Sequence, residues 1–116
     1  MDNDFAKQFV TEWERAWNTH DINKIMSHYA NDIILISPIA GQLLGHSKVR
    51  GIDAVRHYFM KGLHAYPDLN FKILDILHGE DSIVLYYINQ NGVKVGEYMQ
   101  FDRDGKVSRM TAHYST

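Results

Sequence analysis

The chain has 116 residues, of which 45% are hydrophobic, enough for one hydrophobic core and too few for two domains of ordinary size. Twelve basic and 14 acidic residues give a net charge of −2 with no basic face, which argues against nucleic acid as a partner. The absence of cysteine excludes disulfides and thiolate metal sites, and no signal-like N-terminus or membrane-length apolar run occurs. We therefore expect one domain over residues 1–116, located in the cytoplasm and without membrane contacts.

The N-terminal segment predicts two helices. Hydrophobic residues recur at i, i+3 and i+4 from Phe5 onward, which predicts an amphipathic helix that ends in Trp13 and Trp17. Asp21 can cap a short second helix. The predicted buried face of this second helix is Ile22, Ile25, Met26 and Tyr29.

A strand and a third helix follow. The stretch DIILIS predicts a strand that ends at Pro38, because proline cannot donate to a continuing ladder. If the strand alternates, Ser37 faces inward. A stretch punctuated by glycines, from Gly41 to Gly51, leads into a helix whose inward residues are Ile52, Val55, Phe59 and Leu63.

The second half of the chain predicts four strands, roughly 70–78, 82–90, 93–102 and 106–115, separated by the turn signals GED, NG and DG. Helices followed by antiparallel strands indicate an α+β fold. We expect three N-terminal helices packed on one face of a strongly curved, mainly antiparallel β-sheet.

Turn lengths predict the register of the last three strands. A two-residue turn at Asn91-Gly92 would pair Tyr86 with Glu97, and one at Asp104-Gly105 would pair Glu97 with Ala112. Glu97 would then be the only charge on the inner face, where an ionised carboxylate is costly unless it is compensated. The predicted inner face is Val84, Tyr86, Ile88, Val95, Glu97, Met99, Met110, Ala112 and Tyr114.

The opposite face of these strands mixes polar and aromatic side chains, a composition typical of protein interfaces. We therefore predict a homodimer formed sheet to sheet, and a solvated sheet face is the alternative. The predicted interface residues are Tyr87, Tyr98, Arg109, Thr111 and His113.

The seven histidines do not predict a metal site. His57 and His64 lie seven residues apart on one predicted helix, roughly 10 Å along its axis, which is too far for both to bind one ion. The other histidines lie in different predicted elements, and no phosphate-binding glycine loop occurs. We expect neither a metal nor a cofactor.

Three stretches resemble the nuclear transport factor 2-like superfamily, which includes ketosteroid isomerases and SnoaL-type polyketide cyclases. They are WNTHDINKIMSHYANDIILISP, GIDAVRHYF and EYMQFDRDGKVSRMTAHY, and the resemblance covers nearly the whole chain. It implies a cone-shaped, cystatin-like α+β barrel with an internal pocket, usually in a dimer. It names no reaction, because members of the superfamily include several classes of enzyme as well as non-catalytic binding domains.

The resemblance also assigns expected roles to individual positions. Ser37 stands where the isomerases carry the aspartate that shuttles the proton, which argues against the same reaction by the same mechanism. Trp13 falls at the position of the tyrosine that donates to the enolate. Glu97 falls at the position of the acid that completes the oxyanion hole, and in ketosteroid isomerase that acid is kept neutral by its apolar site.

We therefore expect the protein to bind a small hydrophobic molecule, with Glu97 as the catalytic candidate if proton transfer of the isomerase or cyclase type takes place. A non-catalytic ligand-binding or dimerisation module is the alternative. For the two tryptophans, a place in the aromatic wall of the cavity and a place in the plain hydrophobic core are both open. The predicted pocket residues are Trp13, Trp17, Ser37, Phe59, Tyr86, Met99, Met110, Ala112 and Tyr114.

Overall fold

The computed structural model describes residues 1–115, which form four helices and six strands. The elements are α1 (Asn3–Asn18), α2 (Ile22–Met26), β1 (Tyr29–Ile36), α3 (Pro38–Leu44), β2 (Lys48–Arg50), α4 (Ile52–Ala65), β3 (Lys72–His78), β4 (Ser82–Ile88), β5 (Lys94–Phe101) and β6 (Val107–Tyr114). None of the helices in this part of the chain is both long and apolar enough to cross a membrane.

The strands form one curved sheet in the order β2-β1-β6-β5-β4-β3, and the helices pack on its inner face. Among the strand pairs of residues 1–115, only β1–β6 is parallel, so the sheet is mainly antiparallel as predicted. The α+β class is confirmed. The sheet is open, with β2 and β3 at its edges, so the cystatin-like fold is not closed into a barrel.

The first helix agrees with the prediction. Asp2 caps α1 by accepting a hydrogen bond from the Phe5 backbone N–H at 2.7 Å. The side chains that α1 buries are Ala6, Phe9, Val10, Trp13, Ala16 and Trp17. The helix therefore carries both tryptophans into the interior.

The region between α1 and α4 differs from the prediction in two ways. Helix α2 ends at Met26, and Tyr29 is the first residue of β1 rather than a helical residue. The glycine-punctuated stretch contains a helix, α3, which Ser37 caps and Pro38 begins, and a short strand, β2. Proline is favoured in the first turn of a helix, so Pro38 ends one element and also starts another.

The β4–β5 hairpin is shifted by one residue from the predicted register. Asn89 N–H donates to the Val93 carbonyl at 3.0 Å, and Gly92 has a positive φ of 76°, so the loop has three residues rather than two. Leu85 therefore pairs with Glu97, and every β4 side chain points to the face opposite to the predicted one. Tyr87 is buried inside and Tyr86 faces outward, so the predictions for both residues are wrong.

The predicted pairs of β5 with β6 are correct, including the pair of Glu97 with Ala112. The connecting loop again has three residues, since Asp102 N–H donates to the Lys106 carbonyl. An irregularity between Gln100 and Phe101 shifts the pairing back by one residue. The outer face of the two strands carries Tyr98, Arg109, Thr111 and His113, as predicted.

Candidate functional site

A cavity of about 500 Å³ lies between the inner face of the sheet and helices α1 and α4. This volume is within the range of small-molecule sites. Residues of α3, the β4–β5 loop and Ser115 line its more exposed end. The aromatic residues of its wall are Trp13, Trp17, Tyr58, Phe59, Tyr66, Phe71, Tyr87 and Tyr114.

The aromatic wall is a connected set of rings. Trp13 stacks on Phe71 with ring centroids 5.6 Å apart, and Trp17 meets the Phe59 ring edge to face at 4.8 Å. Tyr87 lies 4.6 Å from Phe71 and 5.5 Å from Trp13, measured between ring centroids. Six of the eight rings are connected in this way, all except Tyr66 and Tyr114, and they form an extended and mostly apolar surface.

Glu97 is the only carboxylate on the cavity wall within the described residues. Its side chain is 3% exposed, and its Oε1 atom accepts a hydrogen bond from the Tyr87 hydroxyl at 3.0 Å. Its Oε2 atom is buried and has no hydrogen-bond partner in the part of the chain that the structure describes. The residue opposite Glu97 on the neighbouring strand β6 is Ala112, whose small side chain leaves space beside the carboxyl group.

Burial raises the pKa of Glu97 to about 7, because the ionised form loses its hydration inside the protein. The hydrogen bond from Tyr87 acts in the opposite direction, since it stabilises the carboxylate. No lysine, arginine or histidine is among the described residues that line the cavity. Near neutral pH, Glu97 can therefore give up and take back a proton.

The indole N–H groups of Trp13 and Trp17 lie close to the Tyr29 hydroxyl. Trp13 Nε1 donates to the Tyr29 hydroxyl at 3.0 Å, so this N–H is already used within the protein. Trp17 Nε1 lies near the same hydroxyl but is buried without a hydrogen-bond partner among residues 1–115. Burial raises the pKa of Tyr29, and the charge on Glu97 adds to this rise, so Tyr29 remains a neutral phenol.

A cluster of three hydroxyl groups lies at Ser37. The Ser37 side chain is 2% exposed, and its Oγ atom accepts hydrogen bonds from Ile39 N–H at 3.2 Å and from the Tyr58 hydroxyl at 3.4 Å. Burial raises the pKa of Tyr58 to about 12 and raises the pKa of Tyr114, while the nearby Ser37 hydroxyl opposes both rises. The two phenols therefore remain neutral hydrogen-bond donors.

The structure brings most of the predicted site residues together. Those that line the cavity are Trp13, Trp17, Ser37, Phe59, Glu97, Met110, Ala112 and Tyr114. Tyr86 does not, because the register shift turns it outward. Met99 lies on the inner face and is fully buried, but it is not part of the cavity wall.

Sequence reasoning missed three tyrosines of the cavity wall, which are Tyr58, Tyr66 and Tyr87. Tyr87 was placed on the outer face by the assumed turn length. Tyr58 follows Val55 by three residues and precedes Phe59 on α4, so its helical spacing was a usable signal. Within residues 1–115, no group of three or more histidine, aspartate or glutamate side chains converges as a set of metal ligands.

Comparison with known proteins gives a consistent result. The SnoaL-like domain family matches residues 10–114. A SnoaL-like protein of unknown function from Burkholderia thailandensis is 36% identical, with 99% of this chain and 98% of that chain covered and a TM-score of 0.94. No match was found among curated proteins.

Two solved structures of lower identity share the fold. A protein of unknown function with a cystatin-like fold from Methylobium petroleophilum is 14% identical, with 100% and 79% of the two chains covered and a TM-score of 0.81. A candidate polyketide cyclase from Sinorhizobium meliloti is 13% identical, with 91% and 94% covered and a TM-score of 0.77. These likenesses confirm the cystatin-like architecture.

Proposed function

Because the chain belongs to the SnoaL-like domain family, we propose that it binds a small, largely apolar carbonyl compound in the cavity and exchanges a proton with it through Glu97. The observation that carries this proposal is the unpartnered Oε2 atom of Glu97. A buried polar atom without a partner costs about 1–3 kcal/mol, and a ligand that supplies the partner recovers this free energy.

The two oxygens of Glu97 suit different tasks. In the neutral acid, Oε1 accepts the Tyr87 hydrogen bond while Oε2 carries the proton and can donate it to a ligand oxygen. A pKa of about 7 makes the carboxyl group effective in proton transfer at neutral pH. Glu97 therefore serves as the acid that protonates the carbonyl oxygen, while a solvent water takes the proton from the adjacent carbon. In the reverse step Glu97 recovers its proton from the enol oxygen, and the carbon takes a proton from solvent.

The cavity wall favours a compound with an apolar skeleton. Its aromatic surface can pack against fused or cyclic carbon rings, and its volume admits a molecule of that size. The candidate polyketide cyclase of S. meliloti has the same fold, which makes polyketide-like carbonyl compounds the first class to test. Steroid-like and terpene-like ketones share the required chemistry.

Some of the predicted pocket residues are not placed to assist Glu97. Tyr86 faces away from the cavity, and the Trp13 N–H is engaged by Tyr29, so neither can assist Glu97 directly. Tyr87 takes the place proposed for Tyr86, because its hydroxyl holds Oε1. Tyr114 lines the cavity, but the hydrogen bond to Glu97 comes from Tyr87, so we assign Tyr114 no part in the proton transfer.

The test uses 1-tetralone, a bicyclic ketone, as the probe. Binding is measured by calorimetry, and solvent deuterium incorporation next to its carbonyl group is followed by NMR. Glu97→Gln is compared with Glu12→Gln, which changes an exposed glutamate of α1. If Glu97→Gln alone loses deuterium exchange and still binds 1-tetralone, the result supports a catalytic function.

Two other outcomes decide against catalysis or against the whole proposal. If the wild-type protein binds 1-tetralone but exchanges no deuterium above the buffer rate, the non-catalytic binding module is the better description. If neither 1-tetralone nor its parent hydrocarbon tetralin binds, the cavity is not a site for this class of compound.

We also propose that the protein is a homodimer through the outer face of the sheet. This face carries Tyr98, Arg109, Thr111 and His113. It also carries half-buried apolar side chains, some of which were predicted to lie on the inner face. They are Ile34, Ile36, Val84, Tyr86 and Ile88. Aromatic and aliphatic groups beside Arg109 have the composition of an interface core.

A further inference from the structure

The cavity contains a second polar cluster, the hydroxyl groups of Ser37, Tyr58 and Tyr114, which the proposed reaction does not use. All three residues line the cavity wall. Ser37 lies between β1 and α3, Tyr58 is on α4, and Tyr114 is on β6. We call this cluster the hydroxyl subsite.

Strand pairing sets the position of the hydroxyl subsite relative to Glu97. Glu97 pairs with Ala112 on β6, and the parallel β1–β6 ladder ends at the pair of Ile36 with Thr111. The next residue, Ser37, therefore comes alongside Ala112. Glu97, Ala112 and Ser37 form a row across the sheet, all facing inward, with roughly 10 Å between the outer two backbones.

The middle member of this row leaves room for a ligand. Ala112 has the smallest side chain of the three and lines the cavity between the two polar groups. A molecule lying over Ala112 would have Glu97 at one end and the hydroxyl subsite at the other. Its central part would contact apolar side chains such as Met110.

The hydrogen bonds of the cluster determine what it can offer to a ligand. Ser37 Oγ already accepts from Ile39 N–H and from the Tyr58 hydroxyl, so both of its acceptor positions are occupied. Its own proton can then be donated, and the Tyr114 hydroxyl, which is near Ser37 and also lines the cavity, is one acceptor for it. This arrangement leaves the Tyr114 O–H free to donate into the cavity.

We propose that the hydroxyl subsite binds an acceptor oxygen of the ligand, so that the ligand carries two oxygen functions at opposite ends of an apolar skeleton. This inference rests on the proposed function, because it assumes that the first oxygen is held by Glu97. Tyr114 and Tyr58 are then residues that determine specificity. They select a carbonyl, ether or hydroxyl oxygen and do not take part in the proton transfer.

Two isomeric probes test the inference. In 5-hydroxy-1-tetralone the two oxygens lie at opposite ends of the bicyclic skeleton, whereas in 8-hydroxy-1-tetralone they are adjacent and hydrogen-bonded to each other. We expect calorimetry to show that the wild-type protein binds the 5-hydroxy isomer roughly three- to ten-fold more tightly, the ratio that one additional hydrogen bond supplies. Equal affinities for the two isomers would overturn the inference without any variant.

Variants of the hydroxyl subsite test whether it causes the preference for 5-hydroxy-1-tetralone over 8-hydroxy-1-tetralone. Tyr114→Phe and Tyr58→Phe keep the rings and remove the hydroxyls, and each should reduce the preference between the isomers. The matched control is Tyr98→Phe on the outer face, which should leave the preference unchanged. Retention of the full preference in the Tyr58→Phe, Tyr114→Phe double variant would also contradict the inference.

The same measurements separate this inference from the proposed function. If Glu97→Gln loses deuterium exchange on 1-tetralone while the two isomers bind the wild-type protein equally, only the hydroxyl subsite is rejected. If none of the tetralones binds, the proposed function fails and the subsite fails with it. Thermal unfolding followed by circular dichroism confirms that each variant is folded, and the comparison of isomers on the wild-type protein stands even if one variant is not.

Discussion

The Tyr87 hydroxyl donates to Glu97 Oε1 at 3.0 Å, and this contact links neighbouring strands inside a region from which water is largely excluded. It leaves Glu97 Oε2 buried and without a partner among residues 1–115, on a side chain that lines the cavity. The same bond stabilises the ionised carboxylate and so opposes the effect of burial on the pKa of Glu97.

Tyr87→Phe should raise the pKa of Glu97 further above 7, because the hydrogen bond that favours the carboxylate is removed. The pKa is measured by NMR titration of protein labelled with ¹³C at the glutamate carboxyl carbons. Tyr86→Phe is the matched control, since its side chain lies on the outer face. An unchanged pKa in Tyr87→Phe would show that the contact does not form in solution.

Glu97 should make the stability of the protein depend on pH. The pKa of Glu97 is about 7 in the folded protein, whereas its ordinary value is 4.5. The stabilising contribution of this difference to the free energy of unfolding is therefore fully present below pH 4.5 and is lost as pH rises through 7. One pKa unit corresponds to about 1.4 kcal/mol, so the loss is on the order of 3 kcal/mol. Glu97→Gln has no titrating proton and should lack this loss.

Urea denaturation at pH 4 and pH 8 measures the effect. The wild-type free energy of unfolding minus that of Glu97→Gln should be smaller at pH 8 than at pH 4. The other titrating groups are common to both proteins and cancel in this difference. A difference that stays constant with pH would mean that the carboxyl group is hydrated in the folded protein.

Ala112→Leu should fill the space beside Glu97 and abolish binding of 1-tetralone. The larger side chain costs about 1–3 kcal/mol if the surrounding residues are closely packed, and less if it occupies an empty volume. Calorimetry and thermal unfolding are the measurements. Ala54→Leu, on the exposed side of α4, adds the same atoms outside the cavity and should leave binding intact.

Trp13→Phe should destabilise the protein more than Trp17→Phe. Both substitutions remove the same atoms from the aromatic wall, but only Trp13 donates a hydrogen bond, and its loss leaves the Tyr29 hydroxyl without that donor. We expect a difference of about 1 kcal/mol in the free energy of unfolding, measured in urea. Equal losses would show that the Trp13–Tyr29 bond contributes little.

Thr111→Glu should convert the proposed homodimer to a monomer, because it places a like charge at the centre of both outer faces. Sedimentation equilibrium at micromolar concentrations gives the mass. Lys7→Glu, on the exposed side of α1, is the control and should leave the mass unchanged. A wild-type protein that sediments as a monomer would refute the proposal directly.

Much of the fold follows from local patterns in the sequence. The helical spacing from Phe5 to Trp17 predicts α1 and its buried face, and strict alternation in β5 predicts that Glu97 points inward. These predictions hold because side-chain direction within one helix or strand depends only on its own backbone geometry. Helix α3 was missed because Pro38 is compatible both with the end of a strand and with the start of a helix.

The identity of the phenol beside Glu97 was decided by the tertiary structure. Asn91-Gly92 suits either a two-residue turn or the end of a three-residue loop, and one residue of difference exchanges Tyr86 for Tyr87. At the next hairpin the predicted two-residue loop is again a three-residue loop. An irregularity between Gln100 and Phe101 shifts the pairing back by one residue, so the predicted pair of Glu97 with Ala112 is correct. The sequence by itself therefore determined which side chains on β5 are buried. The pairing between strands determined which groups meet there, because strand register depends on loop geometry and bulges that short sequence signals do not distinguish.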